Sequence, residues 1–232
     1  MSAINKINAI KKLNGNFDLV IIGVNQTNKN LSLPLELPKE TREDLSSSFS
    51  IEEDISKKSK KIISYSKGDY IRTCLFGYSS KKGNDSFRSL ASDIISYSKC
   101  YESIAIDISS FSLKNDKQKQ SFIEGLVLGS YQFLEYRKND KKNKLSSITL
   151  IGNVEQKVID KSIAIGSGVC YARDISNHPP NILTPTYIAN DAVRISKQNN
   201  KMSSKIIDIV EPKDFCISIE ISGLNLKLLP SK

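Results

Sequence analysis

Short apolar runs alternate with amphipathic helical patterns along most of the chain, and this alternation limits the folds available to it. Strands are predicted at 17–24, 61–66, 70–78, 103–108, 146–151 and 204–210. Helices are predicted from about Thr41, around 87–95, and at 114–136, 154–176 and 185–198. Strands separated by helices usually lie parallel in one sheet. The order therefore predicts an α/β fold, with a mixed, mostly parallel sheet flanked by helices and an antiparallel hairpin formed by 61–78.

Two of the predicted helices contain glycines that a surface helix does not favour. Gly125 and Gly129 lie within 114–136, and each costs about 1 kcal/mol relative to alanine, so close backbone packing is expected there. Gly166-Ser167-Gly168 lies within 154–176 and is interpreted in the same way, not as a phosphate-binding loop. The residues predicted to face the core are Phe122, Ile123, Leu126, Val127, Phe133 and Leu134 in the first helix, and Val158, Ser162, Ile165, Val169 and Ala172 in the second.

A proline-containing elbow separates the last two predicted helices. Pro179 and Pro180 cannot continue a helix, and Pro179 favours an extended conformation at His178. Thr184-Pro185 is typical of an N-cap followed by proline at the first helical position. A rigid helix–elbow–helix segment suits a junction between two domains.

The elbow resembles the linker signature of the leucyl aminopeptidase family. The matching residues are Ala172, Arg173, Asp174, Asn177, Pro179, Pro180, Asn181, Leu183, Thr184 and Pro185. His178 stands where many members carry glutamate. A weaker similarity to the family's small-residue helix runs from Glu124-Gly125 to Tyr136. The resemblance implies a macro-domain-like N-terminal domain at 1–152, a linker helix and elbow at 153–178, and a truncated beginning of the catalytic domain, a helix and a strand, at 179–232.

Members of that family are metalloexopeptidases with two zinc or manganese ions held by Asp, Glu and Lys. The resemblance places those ligands in motifs of the Gly-Lys-Gly-x-x-Phe-Asp-Ser-Gly-Gly and Asn-Thr-Asp-Ala-Glu-Gly-Arg kind, and neither occurs in these 232 residues. No catalytic residue, metal ligand or cofactor is therefore assigned to this chain. Nor does it contain a phosphate-loop motif, a dinucleotide-binding Gly-x-Gly-x-x-Gly or a Gly-x-Ser-x-Gly nucleophile motif, and its one histidine, His178, has no assignable Ser or Cys partner.

Composition indicates a soluble cytoplasmic protein. Mean hydropathy is −0.30 and no apolar run is long enough to cross a bilayer. The four cysteines are far apart and form no Cys-x-x-Cys pair, which argues against a zinc site or a disulfide framework. The net charge of +9 permits nucleic-acid binding, but the lysines form short clusters with polar neighbours, as on a solvated surface.

Three functional hypotheses remain open from the sequence. The first is an N-terminal aminopeptidase region that is inactive alone. The second is a macro-like module that binds an ADP-ribose-like ligand or DNA, with the loops after Val24, Gly77 and Gly152 as the places for a ligand, because open α/β sheets bind ligands at the carboxyl ends of strands. The third is a non-catalytic partner that forms homo-oligomers or joins the family's hexamer with a full-length aminopeptidase, motivated by the apolar tail at 215–229.

Overall fold

The computed structural model describes residues 4, 6–25, 33, 37–51, 61–65, 72–78, 83–137, 142–198, 201–207, 216–221 and 224–227. They divide into two compact units, Met1–Arg173 and Asp174–Lys232. The loops expected after Val24 and Gly77, at 26–30 and 79–82, lie outside the described residues.

The first unit is built on a six-stranded sheet. Its strands are β1 (Ile7–Ile10), β2 (Leu19–Asn25), β3 (Lys61–Tyr65), β4 (Arg72–Tyr78), β5 (Ser103–Asp107) and β6 (Ser147–Ile151), in the order β1-β6-β5-β2-β4-β3. All neighbours are parallel except β3 and β4, which form an antiparallel hairpin at the edge. The helices are α1 (Lys39–Ile51), α2 (Asn84–Ser98), α3 (Asp116–Gly129) and α4 (Gln156–Asn177), with a short 3-10 turn at Ile108–Phe111. The predicted α/β class and the hairpin are confirmed.

Both faces of this sheet are covered, and β2 shows how its sequence permits this. Its residues point alternately to the two sides, and all but Asn25 are buried, so the strand is a continuous apolar run. Leu19 and Ile21 belong to the larger core, which α2, α3 and α4 cover. Val20 and Ile22 belong to the smaller core, which includes Leu45 from α1.

Helices α2 and α3 pack so closely that side chains are excluded between them. A Cβ atom added at Gly125 would lie 2.7 Å from the Arg88 Cα and 2.9 Å from the Ala91 Cβ. One added at Gly129 would lie 2.8 Å from the Ser92 Cα. The expectation that these glycines mark close backbone packing is confirmed.

The same helix pair encloses a carboxylate. The Glu124 side chain is only 3% exposed, and its Oε2 accepts from Arg88 Nε at 2.8 Å and pairs with Nη2 at 2.7 Å. Gln120 donates to its Oε1 at 2.7 Å, and Arg88 also pairs with Asp85. The hydrogen bond to Glu124 raises the pKa of Arg88. Because a buried charge is costly unless it is paired and hydrogen-bonded, these contacts fix how α2 and α3 are aligned.

Three sequence predictions in this unit were incomplete or wrong. β1 was not predicted, because four residues with a single buried isoleucine, Ile7, resemble a loop. α3 ends at Gly129 and not at 136, so Phe133 and Leu134 lie outside the helix. The Ser130 amide donates to carbonyls of the last helical turn, and the Ser130 hydroxyl accepts a hydrogen bond from the Ile4 amide.

The predicted core stripe of α4 was also largely wrong. The buried residues are Ile159, Ser162, Gly166 and Cys170, whereas Ile165 and Val169 are 41% and 40% exposed. The helix has apolar residues on both sides, so the periodicity did not identify which side faces the sheet.

The second unit contains α5 (Pro185–Lys197) and an antiparallel sheet of β7 (Met202–Ile207), β8 (Cys216–Ile221) and β9 (Leu224–Lys227), in the order β7-β8-β9. α5 packs on β7, and the Ser196 and Ser204 hydroxyls hydrogen-bond at 2.7 Å. The strand predicted at 204–210 begins earlier than expected, at Met202, and residues 208–210 lie outside the described residues.

At the amino ends of the parallel strands, Asp18 joins β2 to β5. Its Oδ2 accepts from the amides of Glu102 and Ser103, both at 2.9 Å. The hydrogen bond from the Ser103 amide is the main reason that the pKa of Asp18 lies below its ordinary value of 3.8. A carboxyl group with a lowered pKa in the folded state stabilises the fold above its unfolded pKa, and this contribution is lost as the pH falls through the folded pKa.

Gly125→Ala should lower the free energy of unfolding by about 1–3 kcal/mol, because the added methyl group meets the α2 backbone and the helices must separate. Urea unfolding followed by circular dichroism measures this. Lys117→Ala, at an exposed position of the same helix, should change it by less than about 0.5 kcal/mol. Equal stability of the two variants would contradict the close packing.

Asp18→Asn should destabilise the fold at pH 7 by less than about 1 kcal/mol, since the carboxylate is largely solvated. The difference from the wild type should disappear in unfolding curves recorded below the pKa of Asp18. The control is Asp93→Asn, which changes an exposed carboxylate on α2. A destabilisation by Asp18→Asn that is the same at pH 7 and pH 2.5 would exclude the proposed role of the charge.

Candidate functional site: the linker and the carboxyl edge of the sheet

The linker signature begins at the end of α4, where Arg173 is attached to α3. Its Nη1 donates to the Leu128 carbonyl at 3.4 Å, and its guanidinium lies 5.6 Å from the centre of the Tyr131 ring. The last carbonyls of a helix lack partners within it, and a cation is favourable at that end. Arg173 therefore completes the end of α3 while belonging to α4. The neighbouring Ala172 is exposed.

The second unit starts with the remaining turn of α4 and the proline elbow. Asp174 and Asn177 lie in that turn, and the His178 amide donates to the Ile175 carbonyl at 3.2 Å. Pro179 ends the helix, and its carbonyl accepts from the amides of Ile182 and Leu183, both at 2.9 Å. Pro180 and Asn181 are exposed at the tip of this turn. The elbow is thus a compact, hydrogen-bonded turn.

Thr184 and Pro185 start α5 as the sequence predicts. The Thr184 Oγ1 accepts from the Tyr187 amide at 3.2 Å, and Pro185 occupies the first helical position. The His178 ring lies 5.6 Å from the Tyr187 ring and is tilted against it. These contacts are structural: Thr184 caps the helix, and His178 packs on an aromatic ring of the next helix.

The other candidate region is the carboxyl edge of the six-stranded sheet. Pairing places Val24 beside Gly77, and Asp107 beside Ile151, which precedes Gly152. Three of the predicted ligand-binding positions therefore do lie along one edge. The loops that follow β2 and β4 are outside the described residues.

The described part of this edge is occupied by the 3-10 turn after β5. The Asp107 carboxylate accepts from the amide and hydroxyl of Ser109, and the Ser110 hydroxyl accepts from the Gly23 amide at 2.6 Å. Phe111 packs under Gly23, where a Cβ would lie 2.7 Å from its ring.

The Tyr78 hydroxyl closes this arrangement. It donates to the Ser110 carbonyl at 3.1 Å and lies 2.9 Å from the Ser112 hydroxyl. Burial raises the pKa of Tyr78, so its hydroxyl stays protonated at neutral pH. Each polar group named here is bonded within the fold, which is typical of a structural edge.

No protein-family model matches the sequence. Among curated proteins, it is 36% identical over 86 residues to a probable cytosol aminopeptidase of Legionella pneumophila, a match that covers 36% of this chain and 18% of that protein. It is 28% identical over 118 residues to leucine aminopeptidase 1 of Arabidopsis thaliana, covering 47% and 23%. The matches thus span about a fifth of the length of these relatives.

A search of solved structures finds the same fold. A mutant of tomato leucine aminopeptidase superposes with a TM-score of 0.72 over 92% of this chain and 50% of its own, at 22% identity. The chain is a relative of the leucyl aminopeptidases. The bottromycin maturation enzyme BotP shares the fold more distantly, with a TM-score of 0.62 over 84% of this chain and 40% of its own. The mostly parallel sheet flanked by helices is therefore the leucyl aminopeptidase fold over about half of the longer enzyme.

A third structural neighbour, with a TM-score of 0.60 over 83% of this chain and 39% of its own, is BotP in complex with Mn. Among the described residues, no group of three or more His, Cys, Asp or Glu side chains is placed to hold a metal ion. The buried carboxylates Asp107 and Glu124 are held by hydroxyl, amide and guanidinium donors. These residues do not fit the two-metal centre that the family resemblance implies. No helix in the described part of the chain could span a membrane.

The sequence did not predict two contacts of this leucyl aminopeptidase fold, one at the end of α4 and one between α2 and α3. The Arg173–Tyr131 contact and the Arg88–Glu124 pair join residues that are far apart in the chain. One signal was available: Glu124 is a charged residue within the apolar, glycine-containing stretch of α3, where only a buried, paired carboxylate fits.

Thr184→Ala should cost about 1 kcal/mol, because the Tyr187 amide loses its capping acceptor. Hydrogen exchange should show faster exchange of the first-turn amides of α5. The matched control is Thr186→Ala, which makes the same change at an exposed helical position. If both variants exchange alike, the capping role of Thr184 is wrong.

Proposed function

We propose that this chain is the N-terminal region of a leucyl aminopeptidase-type protein and does not hydrolyse peptides by itself. In this proposal 1–152 is the macro-like domain, 153–178 the linker helix and elbow, and 179–232 the beginning of the catalytic domain. The supporting observation is the signature at 172–185, which forms a helix, a proline turn and a threonine-capped helix in a chain with the aminopeptidase fold.

The proposed lack of activity follows from the chemistry of two-metal hydrolysis. Two cations polarise the peptide carbonyl and generate a hydroxide nucleophile, so several oxygen or nitrogen ligands must converge on them. The motifs that the resemblance implies for those ligands are missing from the 232 residues. One of the acidic residues after the elbow, Asp191, accepts a hydrogen bond through its Oδ1 from Arg194 Nε within α5, at 2.8 Å. The other acidic residues after the elbow are Asp208, Glu211, Asp214 and Glu220.

The role proposed for such a region is assembly in the cytoplasm. It would form homo-oligomers or join a full-length aminopeptidase, as the hexamer implied by the resemblance suggests. The exposed apolar residues Ile165 and Val169 of α4 favour this role. A surface helix usually has polar residues on the side away from the core, and apolar residues exposed there often mark a contact with another protein.

Binding of an ADP-ribose-like ligand or of DNA is the alternative from a different class. The carboxyl edge of the sheet is the position where a ligand would bind, and the net charge of +9 would favour a polyanion. The hydrogen bonds among Asp107, Ser109, Ser110 and Tyr78 leave these groups committed within the fold, and this favours the assembly role.

The purified chain should release no p-nitroaniline from leucine p-nitroanilide above the buffer rate, with or without added Mn²⁺ or Zn²⁺. The Haemophilus influenzae cytosol aminopeptidase, one of the curated relatives, serves as the positive control under the same conditions. Isothermal titration with ADP-ribose and a salt series with duplex DNA test the alternative in parallel.

Metal-dependent turnover that co-purifies with the chain and is abolished by a chelator would overturn the proposal. Binding of ADP-ribose at micromolar affinity would replace it with the ligand-binding module.

A further inference from the structure

The connection between β1 and β2 contains the one Asn-Gly step in the 232 residues, Asn14-Gly15. Asparagine before glycine is chemically labile, because the backbone nitrogen of the next residue can attack the side-chain amide and glycine has no Cβ to hinder the attack. A bulky residue after asparagine slows the same reaction. The Asn-Gly step is therefore a candidate for a covalent modification that the fold can either permit or prevent.

The fold fixes both ends of this connection and leaves its middle exposed. β1 and β2 are not neighbours in the sheet, because β6 and β5 lie between them. On one side the Ile10 carbonyl accepts from the Gly152 amide at 2.8 Å, and Leu13 is buried in the smaller core. On the other side Asp18 accepts from two amides before β5. Both residues of the Asn-Gly step are exposed between these attachments.

No bond within the fold holds back the two reacting groups. Neither the Asn14 side chain nor the Gly15 amide makes a hydrogen bond with any of the described residues. Gly15 has a φ of 115°, and a Cβ added there would meet only the Phe17 ring, at 3.7 Å. By contrast, Asn115 is held in place as the N-cap of α3, where its Oδ1 accepts from the Gln118 amide at 2.9 Å. The Asn-Gly step is thus accessible for reaction in the folded chain.

We propose that Asn14 deamidates spontaneously in the folded protein. The Gly15 nitrogen loses its proton and bonds to the Asn14 Cγ, and the Cγ–Nδ2 bond breaks with release of ammonia. Water then opens the cyclic imide. Attack at Cγ gives aspartate, whereas attack at the backbone carbonyl carbon of residue 14 gives isoaspartate, in which the main chain runs through Cβ and Cγ. The reaction needs only water and is independent of the function proposed above.

The isoaspartate product changes the length of the main chain close to β1. It adds one methylene directly after Leu13 and places a carboxylate beside this apolar anchor. β1 has four residues, and among the described strands it pairs with β6 alone. Because one partner strand and one buried leucine hold this end of the sheet, we expect isoaspartate to weaken the attachment of β1. The aspartate product keeps the length of the main chain and should leave β1 in place.

Mass spectrometry of the full chain, aged at mildly alkaline pH, tests the reaction, because a higher pH deprotonates more of the Gly15 amide. Asn14 should convert at least about tenfold faster than Asn16, which is exposed in the same connection but precedes Phe17. In the native chain Asn14 should convert within about tenfold of its rate in urea, since the fold does not protect it. Asn14→Gln should stay intact, because its longer side chain must close a larger ring.

Hydrogen exchange tests the effect on β1. In aged chains that carry isoaspartate, the β1 amides should exchange at least about tenfold faster than in the fresh chain. The matched control is Asn14→Asp, which carries the same new charge without the extra methylene and should leave this exchange unchanged. The proposal fails if Asn14 converts no faster than Asn16, if folding protects Asn14 more than about tenfold, or if isoaspartate leaves the exchange of β1 as it was.

Discussion

The close contact of α2 with α3 determines where the rest of the first unit can lie. Without side chains at Gly125 and Gly129, the two helices approach until backbone meets backbone, and the Glu124–Arg88 pair fixes their alignment. The opposite side of α3 supplies Val127, against which Gly166 of α4 packs. The end of α3 then supplies the carbonyl and the aromatic ring that receive Arg173. The position of α4 on the first unit therefore depends on how closely the two earlier helices pack.

Much of this fold could be predicted from the sequence because its signals are local. Apolar runs predicted β2, β4, β5 and β6, the glycines predicted close packing, and Thr184-Pro185 predicted the start of α5. What could not be predicted depends on partners distant in sequence. β1 becomes a strand only because β6 pairs with it, and α3 stops early because Ser130 is engaged by the Ile4 amide.

The candidate site shows the same division between local and distant causes. The positions of the linker residues follow from proline stereochemistry and helix capping, which operate within a few residues. The inner face of α4 does not follow from its sequence, since Ile159 and Ile165 are equally apolar but only Ile159 is buried, on the side of the helix where Gly166 meets Val127 of α3. At the carboxyl edge, the sequence predicted where the loops after Val24, Gly77 and Gly152 would lie, but not how the turn after Asp107 bonds to Gly23 and Tyr78.

The position of β1 has a consequence for how the chain folds. It precedes the other strands of the sheet in the chain, yet its partner β6 follows all of them: Ile7 pairs with Ile148. The β1 ladder cannot form until the residues of β6 have been synthesised. Native contacts between such distant segments slow folding, because the entropy of closing a long loop is lost before the pairing is gained. We therefore expect β1 to join the sheet later than strands whose partners lie nearer in the chain.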